Sequence, residues 1–198
     1  VTRQVFDRAV ALVALVVLTP VLLAVALAVR FSSPGPVLFR QERIGLGGRP
    51  FRILKFRTMV DGAERLAENV SPEGDPRVTR VGHWLREWYL DELPQLFNVV
   101  KGDMSLVGPR PETPEYVALY TPDERGVLRV RPGLAGPSTL GHMDEARRLA
   151  EAADPARYYR TVLLHERVQM DISYLENKSL VYDVRLLFRQ VVAIVRSR

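Results

Sequence analysis

The sequence has no cysteine, only three histidines and, among its 28 basic residues, only three lysines. The lack of cysteine excludes a disulfide scaffold, a thiolate zinc site, an iron–sulfur cluster and a cysteine nucleophile. His83, His142 and His165 show no HxxxH-type spacing, so a histidine-built metal site is not indicated. A hard cation held by carboxylates is compatible with the composition. There is no internal repeat and no low-complexity tract. What is present is a chain of 198 residues, 47% hydrophobic and 26% charged. That length suits one large domain or two small ones with a real core. The chain starts at Val1 rather than methionine, which fits a processed form or part of a longer protein.

The net charge of +5 is unevenly placed. Residues 1–60 carry nine Lys/Arg and two Asp/Glu; residues 61–198 carry 19 and 21. A basic N-terminal block suits nucleic acid or an anionic membrane. Residues 9–29 decide for the membrane, since 19 of these 21 residues are apolar and none is charged. As a helix the segment would be roughly 31 Å long, about one hydrocarbon core. No nucleic-acid-binding motif accompanies the charge.

Thr19-Pro20 stands at the middle of that run. Proline has no N–H and its ring clashes with the carbonyl of Val16, so a kink or break is expected there. The Thr19 hydroxyl is placed to satisfy part of what is freed. Arg3 and Arg8 precede the run, and Arg30, Arg40 and Arg43 follow it. The positive-inside rule puts both ends in the cytoplasm. A broken, re-entrant helix and a straight kinked span both fit. A cleaved signal peptide, with Ala26-Leu27-Ala28 as its site, fits less well because the run exceeds the usual ~7–15 apolar residues.

Downstream, residues 37–44 and 50–58 are rich in β-branched and aromatic residues. The glycine-rich stretch 45–48 separates them, which reads as a β-hairpin. Short helices are expected over 61–69, 81–90, 92–100, 115–120 and 122–130, with loops at 71–75 and 131–139. Residues 106–114, with three prolines, read as extended. A longer helix is expected over 154–174, started by Asp154-Pro155. Residues 182–198 are amphipathic, with Val184, Leu187, Phe188, Val191, Val192 and Val195 at helical spacing and arginines between them. That helix suits either a membrane surface or an ordinary core.

Asp91-Glu92-Leu93-Pro94 is the sharpest polar feature. Proline is tolerated in a first helical turn, so a helix beginning near Asp91 or Glu92 would place two carboxylates beside unpaired N–H groups. Plain N-capping by Asp91 is the alternative. Arg110 lies between Pro109 and Pro111, and Arg131 precedes Pro132. Arginines on proline-stiffened backbone suit bidentate grip of phosphate. Lys55 ends a strand, with Arg57 two residues on and on the same face. Asp103 adds a further carboxylate. Carboxylates among cations with no histidine base point to phosphate chemistry with Mg²⁺.

Three segments carry a resemblance: FRQERIGLGGRPFRILKFRTM (39–59), DELPQLFNVVKGDMSLVGPRPE (91–112) and RPGLAG (131–136). They closely resemble the bacterial sugar transferases, the monotopic polyprenyl-phosphate phosphoglycosyl transferases. Phe6-Asp7 ahead of the apolar run and the central proline also fit, although relatives commonly have Ser-Pro where this chain has Thr19-Pro20. The implied fold class is α+β, mainly helical. It comprises a re-entrant membrane helix over 1–30 and a catalytic domain over 31–198, with a small β-hairpin and amphipathic interfacial helices around a compact core. The implied activity moves a sugar-1-phosphate from a nucleoside diphosphate sugar, usually a UDP-sugar, to a polyprenyl phosphate such as undecaprenyl phosphate. This is the first membrane step of surface-glycan assembly.

The resemblance implies a covalent phosphosugar on Asp91, with UMP as the leaving group, and Glu92 as the second catalytic member. It implies Mg²⁺ as cofactor, with Asp91 as a metal ligand, and phosphate binding by Lys55, Arg57, Arg86, Arg110 and Arg131. Membrane lipids are implied partners, nucleic acid is not, and the oligomeric state is open, a homodimer included. The implied location is the cytoplasmic face of the bacterial inner membrane. A catalytically inactive scaffold would lack part of the acidic and basic set, and a hydrolase would use the same dyad with water. Many relatives continue the RPG motif as TGxAQVxGR, whereas this chain reads AGPSTLGHMDE over 135–145. The donor sugar is therefore not carried over, and His142, Asp144 and Glu145 are expected in a solvated loop rather than as replacement contacts.

Overall fold

The computed structural model describes residues 2–63, 66 and 70–196. The chain opens with helix α1, Thr2–Ser32, and continues into a hairpin of β1, Leu38–Ile44, and β2, Pro50–Phe56. Helices α2, Arg80–Glu87, and α3, Gln95–Lys101, follow, then β3, Ser105–Val107, and α4, Pro114–Val117. Strand β4, Gly133–Ala135, leads into α5, Pro137–Gly141, α6, Glu145–Glu151, and α7, Pro155–Tyr158. One π turn, Tyr159–Leu163, joins α7 to α8, Leu164–Glu176, and α9 is Leu180–Arg196. The helix expected over 61–69 falls largely on residues outside those described.

The hairpin is antiparallel, with Leu38 opposite Phe56 and Ile44 opposite Pro50. Among the described residues, strand β2 has no strand on its other side. Asn98 of α3, fully buried, takes that place: its side-chain oxygen accepts from Leu54 N–H at 3.0 Å and its amide donates to Arg52 O at 2.8 Å. This satisfies buried backbone that the sheet leaves open.

Strands β3 and β4 pair in parallel, Ser105 with Gly133 and Val107 with Ala135. The expected 131–139 loop therefore contains a strand. Strands of three residues show no period to read. Close approach depends on glycine: a Cβ on Gly133 would stand 2.6 Å from the Val107 carbonyl carbon.

Helix α1 runs unbroken through Pro20, so the expected break is absent. Thr19 Oγ1 donates to Leu15 O at 2.7 Å, one turn back, and not to the carbonyl of Val16. Thr19 and Pro20 are on the exposed face. Asp7, Ala11, Leu15, Val25 and Val29 are buried along the opposite face, with Leu18 and Leu22 half-buried between them. Steps of three and four residues keep this stripe on one side. Ala11 and Leu15 pack with Ile53, Leu96, Val99, Met104, Leu106, Tyr174 and Leu186. Val25 and Val29 pack with Phe56 and Leu85. The membrane unit expected over 1–30 thus shares its core with residues 31–198.

The atypical segment 135–145 is a solvated loop only in part, with Asp144 exposed. It contains α5 and the start of α6, and His142 is buried, with Nε2 3.4 Å from Glu166 and Nδ1 3.3 Å from Ser138 O.

Candidate active site

Helix α2 ends at Glu87, and Tyr89 turns the chain at φ 54°, the one non-glycine residue with positive φ among those described. Such a conformation is uncommon outside glycine and collects at functional sites. It feeds a 3-10 turn, Leu90–Glu92, from which α3 continues. The backbone N–H groups of Glu92 and Leu93 are taken by Tyr89 O and Leu90 O, each at 3.3 Å. The dyad therefore precedes the α-helix proper by a turn.

Asp91 and Glu92 are both buried, yet their surroundings differ. Glu92 is clamped: Lys55 Nζ lies 2.8 Å from Oε1, and Arg110 reaches Oε1 at 2.9 Å and Oε2 at 3.5 Å. Asp91 makes no side-chain hydrogen bond or ion pair among the described residues, which rules out the N-capping alternative. Burial raises the Asp91 pKa most; Lys55, Arg86 and Arg110 pull it back, Glu92 adds to the rise, and the net direction is up. Burial acts the same way on Glu92, but Arg110 and Lys55 outweigh it and hold that carboxyl well below the usual range. Neighbouring carboxyls driven in opposite directions are the pattern of groups with separate tasks. Glu92 gathers cations, and Asp91 is left unpaired beside them.

Burial lowers the Lys55 pKa, while Glu92 is the largest cause opposing the fall. Glu92 in turn raises that of Arg110. Arg86 closes the group from α2, donating to Thr58 Oγ1 at 2.9 Å and Ser71 Oγ at 2.7 Å. Its field and that of Asp91 reach one another.

Two expected phosphate ligands engage backbone carbonyls in this structure. Arg57 donates to Ser33 O at 2.8 Å and to Pro34 O, just beyond the C-terminal end of α1. Arg131 donates to Gly102 O at 2.8 Å and faces the Gln4 side chain, at the N-terminal end of α1. Gly102 caps the end of α3 opposite Asp91, about 10 Å along the helix. A sequence does not tell an arginine that meets backbone carbonyls from one that meets a ligand. Asp103 accepts from Asn98 at 3.3 Å and pairs with Lys101, also at that end.

The sequence also gave no signal for Asp171. It is buried on α8 and accepts from the Arg110 N–H at 3.0 Å. Glu112 likewise emerges only in the fold, held by Arg43 at 3.1 Å and by the Tyr159 hydroxyl at 2.9 Å. A cleft of about 540 Å³ between α6 and α7 is lined by none of the dyad or its cations.

For Mg²⁺, the relevant observation is the donor set. Among the described residues, Asp91 is a buried carboxylate with no side-chain hydrogen bond or ion pair, and no group of three or more His, Asp or Glu is positioned for a metal. Mg²⁺ commonly takes one or two carboxylates and completes its shell with water and substrate phosphates. Asp91 fits that mode.

The family described as Bacterial sugar transferase matches residues 1–197. The chain belongs to the bacterial sugar transferase family. A UDP-glucose:undecaprenyl-phosphate glucose-1-phosphate transferase of Caulobacter vibrioides is 39% identical over 98% of this chain and 70% of the relative. A UDP-N-acetylgalactosamine-undecaprenyl-phosphate N-acetylgalactosaminephosphotransferase of Aeromonas hydrophila is 38% identical over 96% of this chain and 42% of its own length. The Escherichia coli K12 relative, named for UDP-glucose, is 36% identical over 93% of this chain and 38% of its own length. The chain thus spans less than half of two of these three relatives. Sugar transferases so named differ in donor at nearly equal identity, so overall likeness does not select the sugar.

Proposed function

We propose that this protein transfers a sugar-1-phosphate from a UDP-sugar to undecaprenyl phosphate through a covalent intermediate on Asp91. The observation that carries this reading is the unpartnered, buried Asp91 carboxylate beside cations that Glu92 holds in place. A carboxylate oxygen of Asp91 bonds to the sugar-bearing phosphorus. The bond from that phosphorus to the bridging oxygen breaks, and its electron pair leaves with UMP. An oxygen of the lipid phosphate then attacks the same phosphorus, the bond to Asp91 breaks, and the carboxylate is regenerated. The product is a sugar-diphosphate-lipid. Covalent catalysis replaces one difficult displacement by two easier ones.

Lys55, Arg86 and Arg110 hold phosphate oxygens, and their charge offsets that of an anionic nucleophile meeting a diphosphate. Arg57 and Arg131 act by fixing the two ends of α1. When bound, Mg²⁺ supplies further neutralisation of the diphosphate, with Asp91 as its protein ligand. Chelation by EDTA is expected to stop UMP release and added Mg²⁺ to restore it; undiminished release in EDTA contradicts the metal assignment.

Both ends of α1 support a helix held within one leaflet, with the body on the cytoplasmic side. Arg3 pairs with Asp183 at 2.5 Å and donates to Tyr174, while Val25 and Val29 pack on the body at the other end. A simple span would leave one end free of the body. The outer face of α1 is apolar, including Val13, Val16, Val17, Leu23 and Leu27. Helix α9 buries Leu186 but exposes Val184, Phe188, Val191 and Val195, a second apolar stripe suited to the bilayer surface.

The test is UMP release from a panel of UDP-sugars with Mg²⁺ and undecaprenyl phosphate. Release with one donor, dependent on lipid phosphate, supports transfer. Release independent of lipid phosphate would indicate a hydrolase, and none with any donor a scaffold. The dyad also predicts a pH effect. Glu92→Gln removes a like charge from beside Asp91 and frees Lys55 and Arg110 to face it, so the Asp91 pKa falls. The acid limb of kcat/KM is expected at lower pH in this variant than in the wild type; an unmoved limb contradicts the coupling.

A further inference from the structure

Asp171, 3% exposed, takes no part in the chemistry above. Its Oδ2 accepts from the Arg110 backbone N–H at 3.0 Å and from the Ser138 hydroxyl at 2.9 Å, and its Oδ1 from the Ser138 N–H at 3.4 Å. One carboxylate on α8 therefore ties together the Pro109-Arg110-Pro111 segment and the start of α5. Prolines donate no N–H, so the Arg110 amide is the sole backbone donor of these three residues, and Asp171 takes it. The guanidinium of the same residue brackets Glu92. Burial raises the Asp171 carboxyl to about 6, against its hydrogen bonds and Arg167. A carboxylate is costly to bury, and this one spends its hydrogen bonds on the backbone that aims Arg110. Ser138 belongs to the segment that departs from the pattern of relatives.

We propose that Asp171 is a positioning residue, holding Arg110 in register with Glu92 and Asp91 through the Arg110 amide, with Ser138 as its second attachment. The proposal rests on the transferase reading above. The full chain is assayed in nanodiscs containing undecaprenyl phosphate, with the same panel of UDP-sugars as donors. Asp171→Ala, Ser138→Ala and Arg110→Ala are compared singly and paired, alongside hydrogen exchange at the Arg110 amide. Loss of register on the scale of an ångström predicts about a 100-fold fall in kcat for Asp171→Ala. Ser138→Ala should give a smaller fall of the same kind, and the Arg110 amide should lose protection in both.

In the Arg110→Ala background, Asp171→Ala should lower Tm but reduce kcat by less than about twofold. Multiplying losses, or unchanged kcat in folded variants whose Arg110 amide has become exposed, would overturn the proposal. Where Asp171→Ala fails to fold, the same comparison with Ser138→Ala decides. A wild type that protects this amide but releases no UMP from any donor of the panel would instead be a failure of the transferase reading.

Discussion

Asp91→Asn is expected to reduce UMP release by at least about 10³-fold while leaving the protein folded. The amide has nearly the shape of the carboxylate but cannot form the acyl phosphate. No hydrogen bond or ion pair of Asp91 is lost, since none is made among the described residues. The stability effect has the opposite sign. The folded state raises the Asp91 pKa, so folding disfavours the ionised form. Below the unfolded value of about 3.9 both states are protonated and the penalty is absent; it grows as pH rises through the folded value. The asparagine variant should therefore melt at or above the wild-type temperature at neutral pH, with the difference fading in acid. Thermal melts and UMP release on one preparation check both. A folded variant that keeps wild-type turnover removes Asp91 from the chemistry.

Deleting residues 1–32 is expected to unfold the remainder rather than yield a soluble enzyme. The deletion takes Ala11 and Leu15 from the main core and Val25 and Val29 from a second cluster. Burying each large apolar side chain is worth about 1.5–3 kcal/mol, against a total stability of about 5–15 kcal/mol for a domain. It also uncovers their partners Ile53, Val99, Met104 and Phe56, and leaves Asp183 without Arg3. Circular dichroism and protease resistance of residues 33–198 in detergent test this. A cooperative melt with full activity would show that α1 is only an anchor.

These expectations differ from a sequence reading in which α1 is a separate membrane unit. The apolar run was legible because lipid-facing and core-facing residues are the same chemical types, and that same identity hid its packing. Asp7, buried against the Ser105 hydroxyl, was a polar mark on the inner face. The hairpin and the helices α2, α8 and α9 were legible from period and turn residues. The β3–β4 pairing was not, because residues 105–107 and 133–135 meet only through the tertiary fold. At the site, the run 91–94 and the prolines around Arg110 gave the dyad and one cation. Arg57 and Arg131 looked equivalent to Arg110 because the ends of α1 that engage them are distant in sequence. Asp171 lies 61 residues from the amide it holds.

The central claim is an acyl phosphate on Asp91, and the direct measurement is mass spectrometry of the intact protein quenched with a UDP-sugar and Mg²⁺ in the absence of lipid acceptor. The account predicts a mass increase of one sugar-phosphate, mapped to the peptide holding Asp91, one UMP released per enzyme, and loss of the adduct on adding undecaprenyl phosphate. Turnover with lipid present, but neither adduct nor UMP without it, would contradict the account and indicate direct transfer between the two substrates.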